Sequence, residues 1–121
     1  MVTAVEARKV LTLDDVAGLL NAKVVSGKDL TVKVFDVGAA DLMSDVLALS
    51  KPGMLLLTGL MSVQVIRTAI VSDLCGVVFV RGKKPVKEIL DLAGDAGLPV
   101  LTTGLTMFEA AGVLYGAMTG R

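Results

Sequence analysis

Leu55–Val71 reads LLLTGLMSVQVIRTAIV, and Val100–Gly116 reads VLTTGLTMFEAAGVLYG. Each stretch is an apolar run, then Thr-Gly-Leu, then a segment whose apolar residues recur at helical spacing. A short continuous apolar run before a helix is the signature of a strand buried on both faces, as in a parallel sheet. Between the two copies lies a third apolar run, GVVFV at 76–80, followed by PVKEILDLAGDAG at 85–97. The alternation predicts a βαβαβα core with right-handed crossovers and a mostly parallel sheet.

Within that core, a strand is expected over 54–57 and a helix over about 62–72. Pro85 suits the first turn of the next helix, with Val86, Ile89, Leu90 and Ala93 facing inward. Gly97 suits its C-terminal cap, and Pro99 opens the strand PVLTT. Thr106 and Glu109 form a T-x-x-E capping box ahead of the last helix. Upstream, Thr12 and Asp15 predict a weaker capping box for a short helix with Leu13, Val16, Leu19 and Leu20 on one face. That helix ends at Asn21. AKVVSG at 22–27 reads as a strand stopping at Gly27, and LTVKVFDV at 30–37 alternates as one further strand. Residues 39–53, AADLMSDVLALSKPG, are helical by spacing, with Leu42, Val46 and Leu49 aligned, and must stop before Pro52. The fold class expected is α/β: three layers, α/β/α, with an N-terminal helix and short strands beside the core, all in one domain spanning residues 1–121.

The totals narrow the functional classes. Hydrophobic residues make up 54% of the 121, yet there is no Trp, one Tyr and three Phe, so the core is aliphatic. Twelve basic and twelve acidic residues give zero net charge. That leaves no basic footprint for nucleic acid and little electrostatic resistance to self-association. With no His and a single Cys75, neither the usual zinc sets nor an internal disulfide can be assembled, and no carboxylate cluster has the loop spacing to hold magnesium or calcium. No metal or other cofactor is implied. The opening MVTAVEARKV lacks the apolar core of a secretory signal, and the apolar region 53–71 is interrupted by Gln64 and Arg67. A cytoplasmic protein without a membrane span is expected.

Catalytic equipment is missing. No His can act as general base, no G-x-S-x-G elbow occurs, and neither phosphate-loop motif is present. Cys75 reads as a small core residue, and Asp14 and Asp15 as acidic groups favouring the first helical turn. The candidate site is therefore one for binding. Three strand-to-helix loops belong to one sheet edge: TGLMS at 58–62, RGKKP at 81–85 and TGLT at 103–106. Thr58, Gly59, Ser62, Arg81, Gly82, Lys83, Thr103, Gly104 and Thr106 are its candidate residues, with Lys84 adding charge. As a cationic rim beside helix N-termini, they would take a nucleotide or phosphometabolite. Met61 and Met107 offer apolar contact to a partner or an adenine ring. The plainer reading stands beside this one: the glycines only turn the chain, the hydroxyls only cap helices, and the cations are solvated.

The stretch 53–114, GMLLLTGLMSVQVIRTAIVSDLCGVVFVRGKKPVKEILDLAGDAGLPVLTTGLTMFEAAGVL, resembles the DRTGG domain, with LTLDDVAGLLNAKVVSGKDL as its opening helix, strand and glycine turn. This module occurs alone and in larger bacterial and archaeal proteins, and is related in fold to the N-terminal domain of HPr kinase/phosphorylase. The signature positions differ. Leu60 and Met61 follow Gly59 where Asp-Arg is the family pattern, and Arg81, Gly82 and Lys83 stand where it has Thr-Gly-Gly. The resemblance implies a regulatory or dimerising module with no chemistry of its own, and the kinase domain of that relative is absent. The expected function is a non-catalytic, homodimeric regulatory module sensing a small anionic ligand, binding a partner protein, or both. The alternative is an interaction subunit with no small-molecule ligand.

Overall fold

The computed structural model describes residues 9–120. The opening segment, read above for a secretory signal, lies almost wholly outside the described residues. In chain order the elements are β1 (Leu11–Thr12), α1 (Leu13–Leu19), β2 (Lys23–Ser26), β3 (Lys33–Val34), β4 (Asp36–Ala39) and α2 (Met43–Leu49). They continue with β5 (Met54–Thr58), α3 (Val63–Val71), β6 (Gly76–Phe79), α4 (Lys87–Ala96), β7 (Val100–Thr102) and α5 (Met107–Thr119).

Five strands form one sheet in the order β2-β7-β6-β5-β4, and β1 pairs with β3 in a separate two-stranded sheet. Strands β4, β5, β6 and β7 are parallel, while β2 joins β7 antiparallel. The three-layer α/β/α architecture with a mostly parallel sheet is therefore present. The parallel strands lie side by side in sequence order. Every crossover steps in the same direction, so crossovers of one hand put their helices on one face. Val46 of α2, Ile66 of α3 and Ile89 of α4 accordingly share a core with Leu56, Val77, Phe79 and Val100. On the other face, α1, α5 and the small sheet pack on Leu55, Leu57, Val78 and Leu101.

Several sequence expectations are corrected. The segment 30–37 is not one strand: it breaks at Phe35, which is 57% exposed, and its halves enter different sheets. Alternation specifies the faces of a strand but not a change of partner. Leu19 is exposed while Leu13, Val16 and Leu20 are buried, because the helix ends at Leu19 and the chain turns through Asn21. Leu42 is the exposed N-cap of α2 rather than part of its buried face. Pro85 precedes the N-cap Val86 instead of opening the helix, and Val86 points outward. Both expected capping boxes form, at Thr12/Asp15 and Thr106/Glu109.

The topology bears directly on ligand binding. Clefts in open α/β sheets form where strand order reverses and neighbouring loops diverge to opposite faces. Here β4 to β7 advance without reversal. The rim at the carboxyl ends of these described strands thus has no switch-point crevice.

Candidate functional site

The three strand-to-helix loops do reach one edge and are bonded together there. The Val80 N–H donates to the Thr58 carbonyl at 3.1 Å, the Arg81 N–H to the Leu105 carbonyl at 2.7 Å, and the Gly82 N–H to the Thr103 carbonyl at 2.8 Å. Arg81 and Gly82 both have positive φ, 62° and 69°, and the Lys83 N–H closes the turn on the Val80 carbonyl at 3.4 Å. Two successive left-handed residues inside such a closure make a type I′ turn.

The repeated Thr-Gly-Leu makes the same local structure twice. The hydroxyl of Thr58 accepts the Leu60 N–H at 3.0 Å, and that of Thr103 accepts the Leu105 N–H at 3.2 Å. Each threonine bonds to the backbone two residues on, which turns the chain out of its strand. Both side chains are buried, and the Thr103 hydroxyl also donates to the Leu20 carbonyl at 2.8 Å. Ser62 caps α3 through the Gln64 N–H, and Thr106 caps α5 through the Glu109 N–H. All four candidate hydroxyls thus have partners within the protein.

What remains at the rim is charge gathered around Gly59. Its N–H donates to Asp41 Oδ1 at 2.6 Å, and its carbonyl accepts from the Lys83 ammonium at 2.7 Å. The Arg81 guanidinium lies so close to its Cα that a Cβ there would come within 3.0 Å of Arg81 Cζ and 3.2 Å of Asp41 Oδ1. Arg81 Nη1 stands 3.7 Å from Asp41 Oδ2, with the two side chains 46% and 43% exposed. Lys84 is exposed, and α4 has no side-chain cap at its N-terminus. The space above Gly104 is open: a β-carbon added there would meet no described atom within 4 Å.

A second feature lies elsewhere. Helix α5 packs over β5, and among the described residues the face of β4 beyond it has no helix of its own. An apolar groove of about 380 Å³ results, walled by Val37 and Ala39 of β4 and by Phe108, Ala111, Tyr115 and Met118 of α5. Phe108 is 87% exposed and Tyr115 53%. Sequence reading placed these residues on a helix but missed the groove. The available signal was the order of strands, since in-order parallel strands put three helices on one face and leave the other short of cover.

The family model for the DRTGG domain matches residues 15–117. The chain belongs to the DRTGG domain family. No curated protein matches it. Among solved structures it is similar to the CBS and DRTGG domains of the regulatory region of Clostridium perfringens pyrophosphatase, a structure complexed with the activator diadenosine tetraphosphate. The identity is 20% and the TM-score 0.72, over 88% of this chain and 47% of that one. The likeness establishes the fold, and the chain spans about half of that neighbour's length.

In this DRTGG domain, Leu60 and Met61 occupy the positions after Gly59 and pack partly buried against the helix-bearing core. An aspartate and an arginine nevertheless meet at Gly59, delivered as Asp41 and Arg81 by two other loops. Asp41 was not among the sequence candidates, because nothing local marks a residue 18 positions away as the partner of Gly59. Burial pushes the Cys75 thiol up to about 11, so at neutral pH it is protonated and a poor nucleophile. Among the described residues no group of three or more His, Cys, Asp or Glu could hold a metal ion, and no helix is long and apolar enough to cross a membrane.

Proposed function

We propose that this DRTGG domain is a non-catalytic regulatory module that works by self-association, a second copy of the chain covering the groove between β4 and α5. The observation that carries this reading is the apolar face that no described residue covers. It combines a concave floor, Val37 and Ala39, with protruding aromatic groups, Phe108 and Tyr115, on one patch. A two-fold contact needs such self-complementarity, since the same patch serves both partners. With twelve basic and twelve acidic residues in balance, no net repulsion opposes the approach of a second copy.

Sedimentation equilibrium tests the proposal. The wild type is expected to be a dimer at micromolar concentration. Phe108→Asp together with Tyr115→Glu is expected to weaken the dimer by about 100-fold or more, as for loss of central aromatic anchors. Helical content should be unchanged. A wild-type protein that stays monomeric into the high micromolar range rules out self-association, and a heterologous partner becomes the occupant.

A second reading has its own support in the rim, where Arg81 and Lys83 lie beside the Gly59 peptide and the exposed Lys84 precedes the uncapped start of α4. On this reading the module also senses a small phosphorylated anion, a nucleotide or phosphometabolite. The diadenosine tetraphosphate of the pyrophosphatase regulatory region belongs to the same chemical class. Inorganic pyrophosphate is then expected to raise the melting temperature at constant ionic strength, and Arg81→Ala to abolish the rise.

A further inference from the structure

The geometry points to Asp41 as an internal stand-in for the ligand, its carboxylate occupying the place at the Gly59 N–H and the Arg81 guanidinium that a phosphoryl group of a small anion would take. This inference rests on the anion-binding reading of the rim and adds a regulatory element to it.

A phosphoryl group is recognised by backbone N–H groups and by the planar donors of arginine, with lysine supplying further charge. All three donor types converge at Gly59, where the loops after β4, β5 and β6 meet. The acid among the described groups holding that peptide is Asp41, whose Oδ1 takes the Gly59 N–H at 2.6 Å. Its other oxygen is at 3.7 Å from Arg81 Nη1, long for a hydrogen bond, so the guanidinium is attracted without being fully engaged. Lys83 is fixed nearby by its 2.7 Å bond to the Gly59 carbonyl. The absence of a β-carbon at Gly59 leaves the space in which the guanidinium lies.

Asp41 is therefore displaceable. It is nearly half exposed, and an exposed pair of this kind contributes little stability, so the main cost of rotating the carboxylate into water is its charge-assisted bond to the Gly59 N–H. While it is seated, however, it both fills the donor position and repels an incoming anion. Apparent affinity falls in proportion to the fraction of molecules in which the position is open. The native chain is thus tuned to respond only to ligands abundant enough to compete with its own carboxylate.

Isothermal titration of inorganic pyrophosphate at fixed ionic strength tests this on wild type, Asp41→Asn and Asp41→Ala. The Asn variant removes the charge and keeps the acceptor for the Gly59 N–H, so its fold is preserved, as circular dichroism can verify. Both variants are expected to bind at least about tenfold more tightly than wild type, the Ala variant the more so. Adding Arg81→Ala is expected to remove the gain. Wild-type binding with no gain in either variant overturns the role of Asp41 and leaves the rim reading standing. A gain that survives Arg81→Ala overturns it as well. No binding by wild type or any variant overturns both.

Discussion

Phe79→Ala is expected to remove about 3–5 kcal/mol of unfolding free energy, a large part of what a domain of this size possesses. Phe79 is fully buried, whereas the other two phenylalanines, Phe35 and Phe108, are mostly exposed. Among the described residues it is therefore the one aromatic side chain in an otherwise aliphatic core. It ends β6, which is bonded to β5 on one side and β7 on the other. Its cluster joins Ile66 of α3 to Ile89 of α4, so the cavity would open where two helices meet the sheet. Urea unfolding followed by far-ultraviolet circular dichroism measures the loss. Phe79→Leu, which retains most of the volume, should lose less than about 1.5 kcal/mol. A loss of similar size for both variants would show that the aromatic ring is not filling the core in this way.

The sequence of strands and helices from 54 onward was legible because each element carries its own period and its own stop signal. MLLL and GVVFV are continuous apolar runs, Ser62 and Thr106 are caps, and Gly97 ends α4 in the left-handed conformation. The break at Phe35 was not legible, since an alternating stretch looks the same whether it stays in one sheet or passes between two. The convergence of the three loops also followed from reading parallel strands. Which of their groups face a ligand did not follow. The hydroxyl of Thr103 is taken up by the carbonyl of Leu20, 83 residues distant, and the amide of Gly59 by Asp41. Such partners depend on how the chain closes on itself, and no spacing within a loop encodes them. The groove was missed for a related reason: it is a property of how many helices each sheet face receives.

Gly27→Ala is expected to cost about 2–3 kcal/mol, well above the ordinary surface substitution. Two separate effects act at this residue. Its φ is +87°, a conformation that L side chains rarely adopt. In addition, a β-carbon there would lie 2.8 Å from the Cα of Pro99, and backbone cannot move aside as a side chain can. Gly53 separates the two effects. Its φ is +80°, but its β-carbon would meet nothing within 4 Å, so Gly53→Ala should cost about 1 kcal/mol from conformation alone. The excess at Gly27 then measures the collision. Displacing Pro99 also has a structural consequence, because its carbonyl accepts the Val77 N–H at 3.0 Å where β6 and β7 begin to pair. Since β2 ends immediately before Gly27 and covers the edge of β7, loosening this corner exposes a strand edge that can pair with other chains. Gly27→Ala should accordingly aggregate on heating at protein concentrations where Gly53→Ala remains clear. Equal destabilisation by the two substitutions would mean that Gly27 does not abut Pro99, and that β2 is not held to the sheet edge in this register.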